Sequence, residues 1–269
     1  MTEVMTNYTV NILMFGRNNS LKRLVYLKLL PYLCITLNKT TSMNFTINQK
    51  FDILNNLTSM VINDFTPSLV IVGQGGLGKT HSVIQTIESC DLSSEDYIFF
   101  KGYSTARGLY NALYDNNGKL IVFDDCDSIL EDKVAINILK SALDSYEKRT
   151  LTWMAKMSKN DDYPQQFDFT GRIIFISNKS KNSIDQAILS RSLTVDLTMD
   201  QEEKIERMSF VLDRILPDYE MEIKRDALDF LSENKTNNNI NLRTLIMISK
   251  IRRAFTDNWK EMATYMMNA

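Results

Sequence analysis

Between residues 47 and 199 the chain alternates short, wholly apolar runs with longer stretches in which apolar residues recur every three to four positions. Runs of the first kind suit strands buried on both faces, and the second kind suits amphipathic helices packed against them. The pattern predicts helices over 47–65, 81–89, 106–114 and 133–145, interleaved with strands over 69–72, 97–101 and 120–123. A polar connection over 147–167 leads to strands over 172–177 and 193–197, with a helix over 184–190 between them. Strands alternating with helices imply a parallel sheet covered on both faces. After Met199 and Asp200 only the helical period remains. The expected fold class is therefore α/β, a parallel sheet flanked by helices over 44–199, followed by a small all-helical lid domain over 200–269.

The first 43 residues break this pattern. Arg17, Lys22, Arg23 and Lys28 precede or interrupt the apolar stretch 29–37, and no acidic residue occurs between Asn7 and Thr46. That stretch is too short, and too broken by Lys28 and Pro31, to cross a bilayer. The segment 1–43 reads as an atypical extension, with Met43 as an alternative start of the native product; no membrane partner is expected.

Composition narrows the chemistry. A length of 269 residues holds one large or two small domains, and a formal charge of -2 gives no global signature of nucleic-acid binding. Cys34, Cys90 and Cys126 are scattered and odd in number, which suits a reducing, cytoplasmic setting, in the host if the chain is viral. The single histidine, His81, argues against His-based metal sites and Ser-His-Asp or Cys-His catalysis.

One motif then stands out. Gly73-Gln74-Gly75-Gly76-Leu77-Gly78-Lys79-Thr80 fits the full phosphate-binding loop pattern and lies between a predicted strand and a predicted helix. Glycines at 73, 75, 76 and 78 free the backbone to turn N–H groups toward phosphate oxygens. Lys79 would bring its charge to the β- and γ-phosphates, Thr80 would ligate Mg²⁺, and the following helix would point its positive end at the anion. ATP and Mg²⁺ are the expected cofactors. His81 follows at the helix start, where it reads as a surface residue bordering the nucleotide stretch.

A second motif supports the first. The apolar run 120–123 ends in Asp124-Asp125-Cys126-Asp127, at the carboxyl end of a strand, where open α/β sheets bind ligands. Asp124 is the candidate Mg²⁺-side carboxylate, and Asp125 the candidate to orient or deprotonate the attacking water. Asp127 is placed to cap the next helix. Asn178 ends the strand over 172–177 and could hold that water from the γ-phosphate side; as a plain turn residue it would do nothing. Arg191 closes a helix just before a strand, and Arg243 begins a helix, against the dipole preference. Tyr103 reads as a half-buried strand-end aromatic; Lys250, Arg252 and Arg253 read as a solvated helix face; Trp153 reads as a core or partner contact.

Taken together, these motifs resemble the AAA+ ATPases over residue 53 to the end. The resemblance sets Walker A at 73–80, Walker B at 120–125, a sensor 1 amide at Asn178, an arginine finger at Arg191 and a sensor 2 arginine at Arg243. The string 187–192 is similar to the Ser-Arg-Cys box of clamp-loader relatives, with Ser192 in the Cys position. The family implies a homo- or hetero-oligomeric ring or spiral, nucleotide between subunits, a protein or nucleic-acid substrate, and a role such as helicase loading in replication. Where the family usually has Glu after the Walker B Asp, this chain has Asp125, which predicts slow turnover. The two aspartates also resemble the STAND signalling ATPases, whose nucleotide acts as a switch with little hydrolysis.

Overall fold

The computed structural model describes residues 45–154, 163–234 and 240–268. The 1–43 extension, with Cys34 and Met43, lies outside the described residues.

Helix α1 (Ile47–Ile62) starts at a capping box, in which Thr46 and Gln49 satisfy each other's backbone N–H groups, and buries Ile47, Phe51, Leu54 and Val61. It stops before residue 65 because Asp64 turns left-handed, with φ 62°. Next come β1 (Ser68–Val72), α2 (Lys79–Ser89), β2 (Tyr97–Lys101), α3 (Ala106–Asp115), β3 (Leu120–Asp124) and α4 (Lys133–Ala142). After a hairpin, β4 (Thr150–Thr152) with β5 (Gln166–Asp168), the chain continues through β6 (Arg172–Ser177), α5 (Gln186–Leu189) and β7 (Leu193–Asp196).

Five of these strands form one parallel sheet in the order β2-β3-β6-β1-β7. Successive side chains point to opposite faces of a strand. Val70, Ile121, Phe123, Ile173 and Phe175 accordingly pack against α3 and α4, while Leu69, Ile71, Val122, Ile174 and Ile176 pack against α1 and α2. At the carboxyl edge of the sheet, Phe123 stacks between Phe100 and Phe175, with ring centroids 5.6 and 5.2 Å away. This apolar ladder supports the strand ends that carry the acidic and amide residues.

The hairpin is a correction to the polar connection expected over 147–167. Its antiparallel strands pair Leu151 with Phe167. Trp153 packs partly buried against the main core, 5.7 Å from the Tyr110 ring.

Beyond β7 lie α6 (Gln201–Phe210), α7 (Met221–Glu233), α8 (Leu242–Ala254) and α9 (Trp259–Asn268). Met208, Leu212, Leu231, Leu245, Ile248 and Trp259 give these helices a core cluster of their own. Helix α6 touches both sides. Its buried Arg207 stacks 3.6 Å above the Phe51 ring and donates Nη1 to Asn48 Oδ1 at 3.1 Å, and its Glu203 pairs with Lys50 at 3.2 Å.

Candidate nucleotide site

The site is built where β1 gives way to α2. Glycine is required here, since φ is +74° at Gly76 and +94° at Gly78. A Cβ on Gly76 would stand 3.0 Å from Asn241 Oδ1, and one on Gly73 2.8 Å from the Leu197 backbone. Gln74 ties the loop to the strand-to-helix link: its Nε2 donates to Met199 O and its Oε1 accepts from Met199 N, both at 3.0 Å. Gly76 O accepts from Leu242 N at 2.9 Å. Leu77 is buried beneath the loop.

Lys79 is buried and folds back on the loop. Its Nζ donates to Gly73 O at 2.7 Å, Gln74 O at 2.8 Å and Asn178 Oδ1 at 2.9 Å. Burial pulls its pKa down to about 8, against the opposing pull of Asp125, Asp124 and Asp127. Three acceptors match the three protons of an ammonium group.

The carboxylates come from β3. Buried Asp124 accepts from Thr80 Oγ1 at 2.9 Å and pairs with Lys101 Nζ at 3.1 Å, Lys101 being its register partner on β2. Asp125 takes a left-handed φ of 56°, and its N–H donates to Ile176 O at 3.0 Å. Its Oδ1 accepts from Asn178 Nδ2 at 2.6 Å. Because β6 lies between β3 and β1, Asn178 at its end bridges Lys79 and Asp125. Asp127 does not cap α4, as the sequence suggested; it accepts from Ser177 Oγ at 2.6 Å, and Asp132 caps α4. Burial, aided by Asp124, pushes the Cys126 thiol up to about 11, which leaves it inert.

No family model matches the chain. The fold is similar to a RuvB variant of Thermotoga maritima, with TM-score 0.53 and 12% identity over 82% of this chain and 69% of that one. It is also similar to NtrX of Brucella abortus in complex with ADP, with TM-score 0.50 and 13% identity over 86% of this chain and 54% of that one. An uncharacterised 36.7 kDa protein from the nrdC-mobD intergenic region of Enterobacteria phage T4 is 30% identical over 246 residues, spanning 82% of this chain and 74% of that protein. The chain belongs to this phage protein's family and has the AAA+ P-loop fold.

In this fold a cavity of about 410 Å³ opens between the loop and the C-terminal helices. It gathers Lys79, Thr80, exposed His81, Asp124, Asp125 and Asn178, and Arg243 reaches it from the first turn of α8. Arg214, Ile215 and Leu216 line it as well, a wall the sequence reading missed. The signal available was the turn-forming Leu216-Pro217-Asp218 after the α6 pattern.

Arg191 does not line this cavity. Its carbonyl, like the Ser192 hydroxyl, accepts from Ser68 Oγ at the start of β1, while the loop leaves the other end of that strand. A five-residue strand separates the two ends by about 13 Å. Arg191 Nη1 donates to Ala187 O at 3.1 Å, and its Nε is buried without a hydrogen-bond partner.

The donor set fits a magnesium nucleotide. Thr80 and Asp124 are hard oxygen donors already in contact, and Mg²⁺ in such sites keeps few protein ligands beside phosphate oxygens and water. Among the described residues no cluster of His, Cys, Asp and Glu makes a self-sufficient metal cage, and no helix is long and apolar enough to cross a membrane.

Two readings outside the site change. Tyr103 is 83% exposed rather than half-buried. The basic face of α8 is solvated at Lys250 and Arg253, the latter 4.4 Å above the Tyr219 ring, whereas Arg252 is half-buried and pairs with Asp226 at 2.8 Å.

Proposed function

We propose that the chain binds Mg²⁺-ATP in this cavity and hydrolyses it slowly, between neighbouring subunits of a homo- or hetero-oligomeric ring. The observation that carries this reading is the convergence of Lys79, the Thr80–Asp124 pair and the Asn178–Asp125 pair on one cavity. The 73–78 backbone and Lys79 would hold the phosphates, and Thr80 with Asp124 would hold Mg²⁺. The metal would supply neutralisation of the phosphate charge. Asp125 would orient and deprotonate the water, with Asn178 fixing the Asp125 carboxylate. Arg243 would read the phosphates from α8, whose helix belongs to a lid domain over 200–269. Gln74, Leu77 and His81 would shape the loop around the nucleotide.

Arg191 sits too far from its own loop to serve it, which supports a role on a neighbour's nucleotide. A protein or nucleic-acid partner would be the remodelled substrate, in replication and in the cytoplasm, the host's if the chain is viral. The test is ATP turnover per subunit against protein concentration, with and without single-stranded DNA. Turnover that rises with concentration and collapses in Arg191→Ala sustains the reading; concentration-independent turnover untouched by that change refutes it.

A second reading, a nucleotide-gated switch, is favoured by one observation. Three charges of the site are held by protein partners: Lys79 by carbonyls and Asn178, Asp124 by Lys101, and Asp125 by Asn178. Tightly retained ADP in a monomer with negligible turnover would select it.

A further inference from the structure

Lys224 on α7 is 2% exposed, and its ammonium meets main-chain oxygens rather than a carboxylate. Nζ donates to Ile215 O at 3.1 Å and Asp213 O at 3.5 Å. A charge held this deep without a counter-ion is costly, and an apolar side chain of similar length would fill the same space without that cost. What the ammonium does that an apolar chain cannot is hold two carbonyls of the turn between α6 and α7.

That turn is unusual in itself. Leu216 has φ +44°, a conformation that a γ-branched residue rarely takes, and it stands before Pro217, whose ring restricts it further. Strained backbone of this kind persists where surrounding contacts over-determine it, and it collects at ligand sites. The contacts here are Ile215 N to Val211 O at 3.2 Å, Tyr219 N to Leu216 O at 2.9 Å, and the two Lys224 bonds. Ile215 and Leu216 line the cavity together with Leu242 and Ile246, which gives its C-terminal helical side an apolar patch between Arg214 and Arg243. Such a wall suits the flat face of a heterocyclic base, just as the loop suits phosphates.

We propose that Lys224 is a positioning residue for nucleotide binding: by holding the carbonyls of Asp213 and Ile215 it sets the strained 213–216 turn against the base. The proposal rests on the nucleotide reading above.

The test compares two probes on the full chain by titration calorimetry, Mg²⁺-ATP and inorganic tripolyphosphate, which has the phosphates without the base. Lys224→Met is expected to weaken ATP about tenfold while tripolyphosphate stays within about twofold, and Lys224→Gln, whose amide still donates to a carbonyl, recovers most of the loss. Equal losses for both probes, or no loss for either, overturn the proposal, since a merely structural lysine would not separate base from phosphates. Should Lys224→Met fail to fold, Lys224→Gln decides: ATP weakened about two- to threefold with tripolyphosphate unchanged supports the role, and unchanged ATP overturns it. A wild-type chain that binds neither probe overturns the nucleotide reading itself. Binding of both by wild type, lost in Lys79→Ala, isolates the Lys224 result from that failure.

Discussion

Lys79 and Asn178 are 99 residues apart in the chain and 2.9 Å apart in space. The same amide donates to Asp125 at 2.6 Å, so one side chain fixes both the Lys79 ammonium and the Asp125 carboxylate. Replacing Asn178 with Ala leaves the cavity and its charges in place but frees Asp125. ATP turnover should fall by about one to two orders of magnitude, with nucleotide affinity within about threefold of wild type. Steady-state phosphate release and fluorescent-nucleotide titration read the two effects separately.

Lys79 should make binding pH-dependent. Burial holds its pKa near 8 in the ligand-free fold, against 10.5 for an ordinary lysine. Phosphate oxygens favour the ammonium form, so above about pH 8 binding must take up a proton that the free protein has lost. Affinity should be flat below that point and fall, at most about tenfold per pH unit, above it. Ligand-free stability moves the other way: from pH 8 to 10.5 the unfolded chain binds more protons at this site, so the fold gains as pH rises. Calorimetry in two buffers of different ionisation enthalpy measures the proton uptake, and Lys79→Met should abolish it.

Asp125 carries the strongest prediction on chemistry. Asp125→Asn keeps the shape and the Asn178 contact but removes the base, so turnover should drop at least about a hundredfold while nucleotide still binds. Asp125→Glu sets one extra methylene against a left-handed φ of 56° that aspartate tolerates better than glutamate. Faster turnover in Asp125→Glu would identify carboxylate reach as the limit on rate; equal or slower turnover would mean the local backbone already compensates. Single-turnover assays separate that from product release.

Arg191 and Asp125 should complement each other between chains. Neither Arg191→Ala nor Asp125→Asn alone should turn over ATP, but an equimolar mixture forms some junctions with both groups intact. Recovered activity in the mixture, read by phosphate release, supports an arginine acting on a neighbour; a mixture as inactive as its parts refutes it.

Arg207 should matter for stability rather than chemistry. It is buried, stacked on Phe51 and bonded to Asn48. Arg207→Ala would lose those contacts, at a cost of about 2 kcal/mol, or a fall in Tm of roughly 5 °C in thermal unfolding.

The sequence was most legible where chemistry demands consecutive residues. The loop from Gly73 to Thr80 and the Asp124-Asp125 pair declare themselves locally, and the buried strands carry unbroken apolar runs. The β4–β5 hairpin was not legible, because two three-residue strands, one on either side of a long connection, show too little alternation to register. The 214–216 wall escaped for a different reason: Leu216-Pro217-Asp218 marks a turn, but only the approach of the loop in space makes Arg214, Ile215 and Leu216 a cavity wall. A strand-end position suggests half-burial for Tyr103, yet its side chain is left exposed to solvent.

The two stitches on the phosphate loop have a mechanical meaning. Gln74 is sewn to Met199 just ahead of α6, and Gly76 to Leu242 at the head of α8. These anchor points are two residues apart on the loop but flank opposite ends of the α6–α7 segment. A loop pinned in this way cannot widen around a ligand without parting a seam or swivelling α6 to α9 about the line between the pins. The glycine loop is thus tied at two points to the helical end of the molecule, one at each end of the α6–α7 segment.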